Sequence, residues 1–123
     1  MAHILVVEDM KGIADSLSLI LSMSKHTVDV ADDGAAALRK LREGPPHDLL
    51  ICDIVLPDVD GTSVIIEARR LRPRMPIIAM SGGATGVSAS QALMVAGQKA
   101  DRSMPKPFSR EDLLRAVDEL LGR

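Results

Sequence analysis

Five side chains in this 123-residue sequence could do chemistry together. Glu8 and Asp9 follow the apolar run Ile4-Leu5-Val6-Val7, and Asp53 closes Leu49-Leu50-Ile51-Cys52. Ser81 follows Ile77-Ile78-Ala79-Met80, and Lys106 follows the stretch from Arg102 to Pro105. Each stands where a strand-like stretch gives way to a turn, and none is distinctive alone. A strand-end aspartate more often simply opens a loop. Gathered on one rim, the five say more. Three crowded carboxylates repel, and full ionisation of all three calls for a cation. Oxygen donors that are few and leave room for water and phosphate suit Mg²⁺. A hydroxyl and an ammonium across the same rim would supply the donors a phosphoryl group needs.

The elements that must position them are legible from pattern. Short continuous apolar runs closed by turn residues suit strands buried on both faces of a parallel sheet. Thr27-Val28-Asp29-Val30-Ala31 alternates, predicting a less buried strand, and Arg102 to Pro105 predicts a weak one. Ile13, Leu17, Ile20 and Leu21 recur at helical spacing over Lys11 to Met23. A second helix over Ala35 to Arg42 starts at Asp32-Asp33-Gly34 and is terminated by Gly44-Pro45-Pro46. Asp60 predicts the N-cap of a third, with Val64, Ala68 and Leu71 inward and Pro73 as its stop. The glycine-rich segment Gly82 to Ser88 predicts a mobile loop, and Ala89 to Gln98 a fourth helix. Ser109 with Asp112 resembles a capping box for a last helix marked by Leu113, Val117, Leu120 and Leu121.

Five strands alternating with five helices imply an α/β fold with a parallel sheet and right-handed crossovers. In strand order 2-1-3-4-5 the five polar residues share one rim, outside the carboxyl ends of the strands, where open α/β sheets bind ligands. Pro105 cannot donate to a ladder and belongs on an edge, which the fifth strand is in that order.

Composition bounds the rest. One domain over 1–123 with a real core is expected at this length. A net charge of −2 without a basic run argues against nucleic acid or a membrane surface as partner. Apolar stretches fall far short of the roughly 20 residues a membrane span needs, and Met1-Ala2-His3 shows no leader pattern. One cysteine cannot form an internal disulfide, which fits a cytoplasmic setting. Cys52, within an apolar strand, reads as a small buried hydrophobe. With Phe108 the lone aromatic, the seven methionines are expected to fill core volume. His3, His26 and His47 sit at segment edges and read as surface residues forming no metal cluster. Asp58 and Asp60 read as turn and capping residues.

The chain resembles the receiver domain of bacterial two-component response regulators over essentially its whole length. The resemblance rests on Val6-Val7-Glu8-Asp9, on Cys52-Asp53-Ile54-Val55-Leu56-Pro57-Asp58-Val59-Asp60-Gly61, on Ser81 and on Lys106-Pro107-Phe108. It implies a flavodoxin-like receiver fold and Asp53 as acceptor of a phosphoryl group from a histidine kinase or phosphotransfer protein. It further implies Mg²⁺ held by Glu8, Asp9, Asp53 and the Val55 backbone carbonyl, and phosphoryl oxygens bound by Ser81 and Lys106. A cis peptide bond before Pro107 belongs to the same pattern. Two departures bear on output rather than on this chemistry. Ser103 stands where the family usually carries a switch aromatic, and the interval from Ser81 to Lys106 is longer than usual.

The function expected is that of a stand-alone phosphorelay receiver, switching the binding of a downstream protein and catalysing only its own phosphorylation and dephosphorylation. One rival is a receiver-like adaptor that works without phosphorylation. Another is an aspartyl-phosphate magnesium phosphohydrolase, which usually needs a second acid two residues after the nucleophile. Val55 occupies that position. A dinucleotide-binding domain is excluded, because no G-x-G-x-x-G follows the first strand.

Overall fold

Residues 2–81 and 100–122 are described by the structure, a computed structural model. The strands β1 (His3–Val7), β2 (Thr27–Ala31), β3 (Leu49–Asp53), β4 (Ile77–Ser81) and β5 (Arg102–Pro105) form one parallel sheet. Its order is β2-β1-β3-β4-β5, as expected. Four helices are described: α1 (Lys11–Met23), α2 (Gly34–Glu43), α3 (Gly61–Leu71) and α4 (Arg110–Leu120). The expected loop over Gly82 to Ser88 and the helix over Ala89 to Gln98 lie outside the described residues.

The apolar runs are continuous because both faces of the sheet are covered. Leu5, Val7, Leu50, Cys52, Ile77 and Ala79 pack on the face carrying Ala37 and Leu41 of α2 and Val64, Ile65 and Ala68 of α3. Ile4, Val6, Leu49, Ile51, Ile78 and Met80 pack on the other, with Leu17 and Leu21 of α1 and Leu113, Ala116 and Val117 of α4. Each large aliphatic side chain removed from water contributes about 1.5–3 kcal/mol, so the central strands anchor the domain. Strand β2, on one edge, has only Ala31 fully buried. On the other edge, Pro105 of β5 is exposed and pairs with Ser81. Methionine fills the core only in part: Met75, Met80 and Met104 are buried, but Met10 and Met23 are exposed at the ends of α1.

Capping follows the sequence, with one addition. Asp33, Asp60 and Ser109 each accept a hydrogen bond from a backbone N–H in the first turn of their own helix. Asp58, in the β3–α3 loop, reaches further and accepts from the N–H groups of Gly34 (2.9 Å) and Ala35 (3.0 Å). These bonds, the one from Gly34 first, hold the Asp58 carboxyl below its ordinary pKa. So Asp58 does cap a helix, but α2 rather than the one it precedes.

The histidines require a correction. His26 and His47 are buried, not surface residues. The Ala2 N–H donates to Nδ1 of His26. His47 lies against the His3 ring, with centroids 4.4 Å apart, and its Nε2 is 3.3 Å from Oδ2 of Asp29. The cause is register: pairing Ile4 with Leu49 and Leu5 with Asp29 brings the start of β1, the middle of β2 and the approach to β3 together. The expectation that no metal-type cluster includes a histidine fails with it, since ligand atoms of His3, Asp29 and His47 lie within 4.8 Å of one another.

Close backbone approach explains Gly61. A Cβ there would stand 2.0 Å from the Asp53 carbonyl oxygen and 2.5 Å from the Ile54 Cα, both main-chain atoms that cannot turn aside. At Gly12, an exposed position in the first turn of α1, a Cβ meets nothing within 4 Å. Gly61→Ala should therefore destabilise by about 1–3 kcal/mol or more, whereas Gly12→Ala should stabilise by up to about 1 kcal/mol. Urea midpoints at unchanged m-value measure both, and equal effects at the two positions would refute the packing account.

Candidate functional site

The strand order reverses between β1 and β3, so a crevice opens at their carboxyl ends. Glu8 leaves β1 immediately after Val7, and Asp53 is the last residue of β3. Val7 pairs with Cys52, so the two carboxylates enter this crevice at the same level. The sheet is covered on both sides here, and the acids are correspondingly shielded: Glu8 is 1% exposed and Asp53 4%. Asp9 stands beside them and is exposed. Oxygens of Glu8, Asp9 and Asp53 lie within 4.8 Å of one another.

Lys106 closes the rim from β5. Its Nζ donates to Oε1 of Glu8 (2.5 Å) and to Oδ2 of Asp53 (2.8 Å). Its backbone N–H donates to the Ser81 carbonyl at 2.7 Å, tying the end of β5 to the end of β4. The Lys106-Pro107 bond is cis. Ser81 is buried and ends β4 between the Asp53 strand and the Lys106 strand.

The other oxygen of each acid accepts from nearby main chain. Oε2 of Glu8 accepts from the Met10 N–H at 3.2 Å, and Oδ1 of Asp53 accepts from the Val55 N–H at 3.0 Å. The first of these ties the entry of α1, which has no capping side chain at Met10, to the site itself. Burial raises the Glu8 pKa above its ordinary value, assisted by the Asp53 charge and opposed by the bond from Lys106. Burial alone would lower Lys106, but its bonds to Asp53 and Glu8 outweigh that and hold its pKa above the usual lysine value. One ammonium thus stands between two buried carboxylates, with an exposed third acid alongside.

This donor set is three carboxylates and nearby main-chain oxygens, the hard ligands that Mg²⁺ prefers, with exposed Asp9 on the side where water ligands can complete a shell. The residues fit that ion. Cys52, next to Asp53, takes no part: it is fully buried, and burial pushes its thiol pKa far up, so it stays protonated. Its Sγ–H points at the Asp53 carbonyl oxygen, 3.2 Å away.

All five residues singled out from the sequence thus stand on the carboxyl rim. Glu8, Asp53 and Lys106 are in direct contact, Asp9 lies within ligand distance of the two acids, and Ser81 is linked through its carbonyl. Ser103 is half-buried in β5, paired with Ala79. Sequence reasoning missed the Lys106–Glu8 contact. No local pattern signals a pair 98 residues apart.

Residues 4–118 match the family model of the response regulator receiver domain. The chain belongs to this family. It is 37% identical over 121 residues to response regulator MprA of Mycobacterium ulcerans (strain Agy99), covering 98% of this chain and 50% of that protein. Against MprA of Mycobacterium tuberculosis (strain CDC 1551 / Oshkosh) it is 36% identical, covering 51% of that protein. The chain therefore spans about half the length of these relatives. Among solved structures it is similar to a CheY-like receiver domain protein from Methanospirillum hungatei JF-1, with TM-score 0.87, 33% identity, and coverage of 99% of this chain and 94% of that one. It also matches the receiver domain of sensor histidine kinase PA1611 from Pseudomonas aeruginosa PAO1, with TM-score 0.87, 27% identity, and coverage of 99% and 98%. That structure has a magnesium ion coordinated in its active-site cleft.

The raised pKa of Glu8 has a testable sign. The folded state holds that proton more tightly than the unfolded chain, so ionising Glu8 opposes folding above its ordinary pKa of 4.5. Glu8→Gln should accordingly melt higher than the wild type at pH 8 without Mg²⁺, and the gap should narrow as pH falls toward 4.5. A gap that is negative at pH 8, or constant with pH, would show that burial does not dominate at this carboxylate.

Proposed function

We propose that Asp53 is the phosphoacceptor of a phosphorelay receiver, taking its phosphoryl group from a phosphohistidine on a histidine kinase or phosphotransfer protein. The observation that carries the reading is the Lys106 ammonium seated on Oδ2 of Asp53 and Oε1 of Glu8 at the carboxyl end of β3. A carboxylate oxygen of Asp53 forms the new P–O bond as the P–N bond of phosphohistidine breaks, and the imidazole nitrogen leaves with that electron pair. Little covalent work falls to the protein, so its contribution is positioning and charge. The Val55 N–H orients the Asp53 carboxylate through Oδ1. Lys106 has a donor on the reacting carboxylate already and passes to a phosphoryl oxygen as the group arrives. The Ser81 hydroxyl supplies a second donor.

Glu8, Asp9, Asp53 and the Val55 carbonyl would hold Mg²⁺. When bound, the ion supplies neutralisation of the charge on the transferring group. Phosphorylation adds negative charge and acceptor oxygens to a rim already balanced by one ammonium, and the shift this forces changes which protein partner is bound. The partner is a protein rather than nucleic acid or membrane for these residues, given their net charge of −2 and no basic run. No described helix is long and apolar enough to cross a membrane, and a cytoplasmic setting suits a single buried, unpaired cysteine. The chain acts as a switch and catalyses only its own phosphorylation and dephosphorylation.

Incubation with Mg²⁺ and a small phosphodonor, followed by intact mass, should give a single phosphoryl adduct on the wild type. Asp53→Asn should give none while keeping a native far-UV spectrum. An adduct that persists in the variant would move the acceptor elsewhere. Steady donor turnover would favour a hydrolase, and no adduct on the wild type a phosphorylation-independent adaptor.

The acyl phosphate should have a moderate to long lifetime for this kind of bond. Val55, two residues past Asp53, is 51% exposed and apolar, so it stands at the mouth of the site without orienting an attacking water. Val55→Asn should shorten the lifetime of the phosphoprotein. Slower decay in the variant would reverse the sign assigned to this position.

A further inference from the structure

The opposite rim of the sheet carries a second cluster that the phosphoryl site leaves unused. His3 opens β1, Asp29 lies in mid β2 and His47 sits just before β3. The His47 imidazole is 1% exposed and so is fixed in place. His3 and Asp29 are half-buried, with access to solvent from one side. One ligand atom from each of the three lies within 4.8 Å of the others.

These distances suit a metal better than they suit packing. With Zn–N and Zn–O bonds of about 2.0–2.2 Å, the edge of a tetrahedral zinc site measures roughly 3.3–3.5 Å. The His47 Nε2 to Asp29 Oδ2 separation is 3.3 Å, already one such edge. As a hydrogen bond, the same separation is long. The outer contacts are of the kind that orient ligands: Lys40 Nζ holds the other Asp29 oxygen, Oδ1, at 2.9 Å. The His3 backbone N–H is anchored by Oδ2 of Asp48 at 2.8 Å, which fixes the main chain that carries the ring. Two imidazoles and one carboxylate select zinc-like ions over Mg²⁺, which prefers all-oxygen sites.

We propose that His3, Asp29 and His47 form a site for a borderline divalent cation of the Zn²⁺ type, with the fourth position open to solvent. The site is separate from the acidic rim, because β1 spans on the order of 13 Å from His3 to Val7. A bound ion would clamp β1, β2 and the approach to β3 at their amino ends. That would make the domain's stability depend on the metal without touching Asp53.

The test is titration of the untagged chain with Zn²⁺ against a chromophoric chelator, in excess Mg²⁺ so that the acidic rim is saturated. One ion per chain should bind and the melting temperature should rise with it. His3→Gln, Asp29→Asn and His47→Gln should each weaken binding by about tenfold or more, and Asp53→Asn should leave it unchanged. Visible absorption of the Co²⁺-substituted chain should show a tetrahedral site that the same three variants lose. Should His47→Gln fail to fold, His3→Gln and Asp29→Asn decide alone. Absence of binding would show the cluster to be a hydrogen-bonded strut. Binding lost in His3→Gln yet intact in Asp29→Asn would place the ion on the amino-terminal chain, and loss in Asp53→Asn on the acidic rim. Each of these three outcomes overturns the proposal.

Discussion

One ammonium group holds the working end of this domain together. Parallel pairing drives Glu8 and Asp53 into a shielded crevice at the same level of the sheet, and two buried carboxylates cannot both stay charged there without a cation. Lys106 provides it, with only 12% of its side chain exposed. The ion pairs are weak evidence of stability, since desolvation offsets much of their attraction. Their value lies in poise. The bridge holds one ammonium on both acids at once, so any change at either one bears on the contacts Lys106 makes.

The surroundings are built on to that rim. Glu8 receives the first free N–H before α1, so the metal-type acid and the start of a helix share one carboxylate. Gly61 allows the first turn of α3 to sit against the Asp53 carbonyl, and Asp58 from the same loop clips the start of α2. Gly34 lets that approach be close, because a Cβ there would meet the Val59 side chain at 2.0 Å. Two helix starts, those of α2 and α3, therefore converge on the segment that follows Asp53, while that of α1 meets Glu8. Backbone hydrogen bonds and close main-chain contacts join that segment to both helices.

Family membership accounts for the chemistry of the rim more fully than for its output. Ser103, half-buried in β5, is too small to report a vacated space by rotating into it, and the sequence has no Tyr or Trp to take its place. The amino-terminal rim differs in kind. Its ligand-type atoms are two imidazoles and one carboxylate, at the other end of the strands from the acidic rim.

The sequence by itself determined the strands, their burial and the identity of the rim. Four or five apolar residues ending in Glu8, Asp53 or Ser81 are readable locally, because a doubly covered strand must be apolar throughout and polar residues can only return where it leaves the core. Pro105 marked its strand as an edge for the same local reason, the missing N–H. Caps at Asp60 and Ser109 were equally legible, since each serves a helix beginning at the next residue, and the helix start at Asp32-Asp33-Gly34 was legible without its capping residue, Asp33. Only the tertiary structure decided that Asp58 serves α2, that Lys106 bridges Glu8 as well as Asp53, and that His3, Asp29 and His47 meet. Those contacts join residues separated by 18 to 98 positions. They depend on strand register and on how far a loop can reach, quantities that no stretch of local sequence contains.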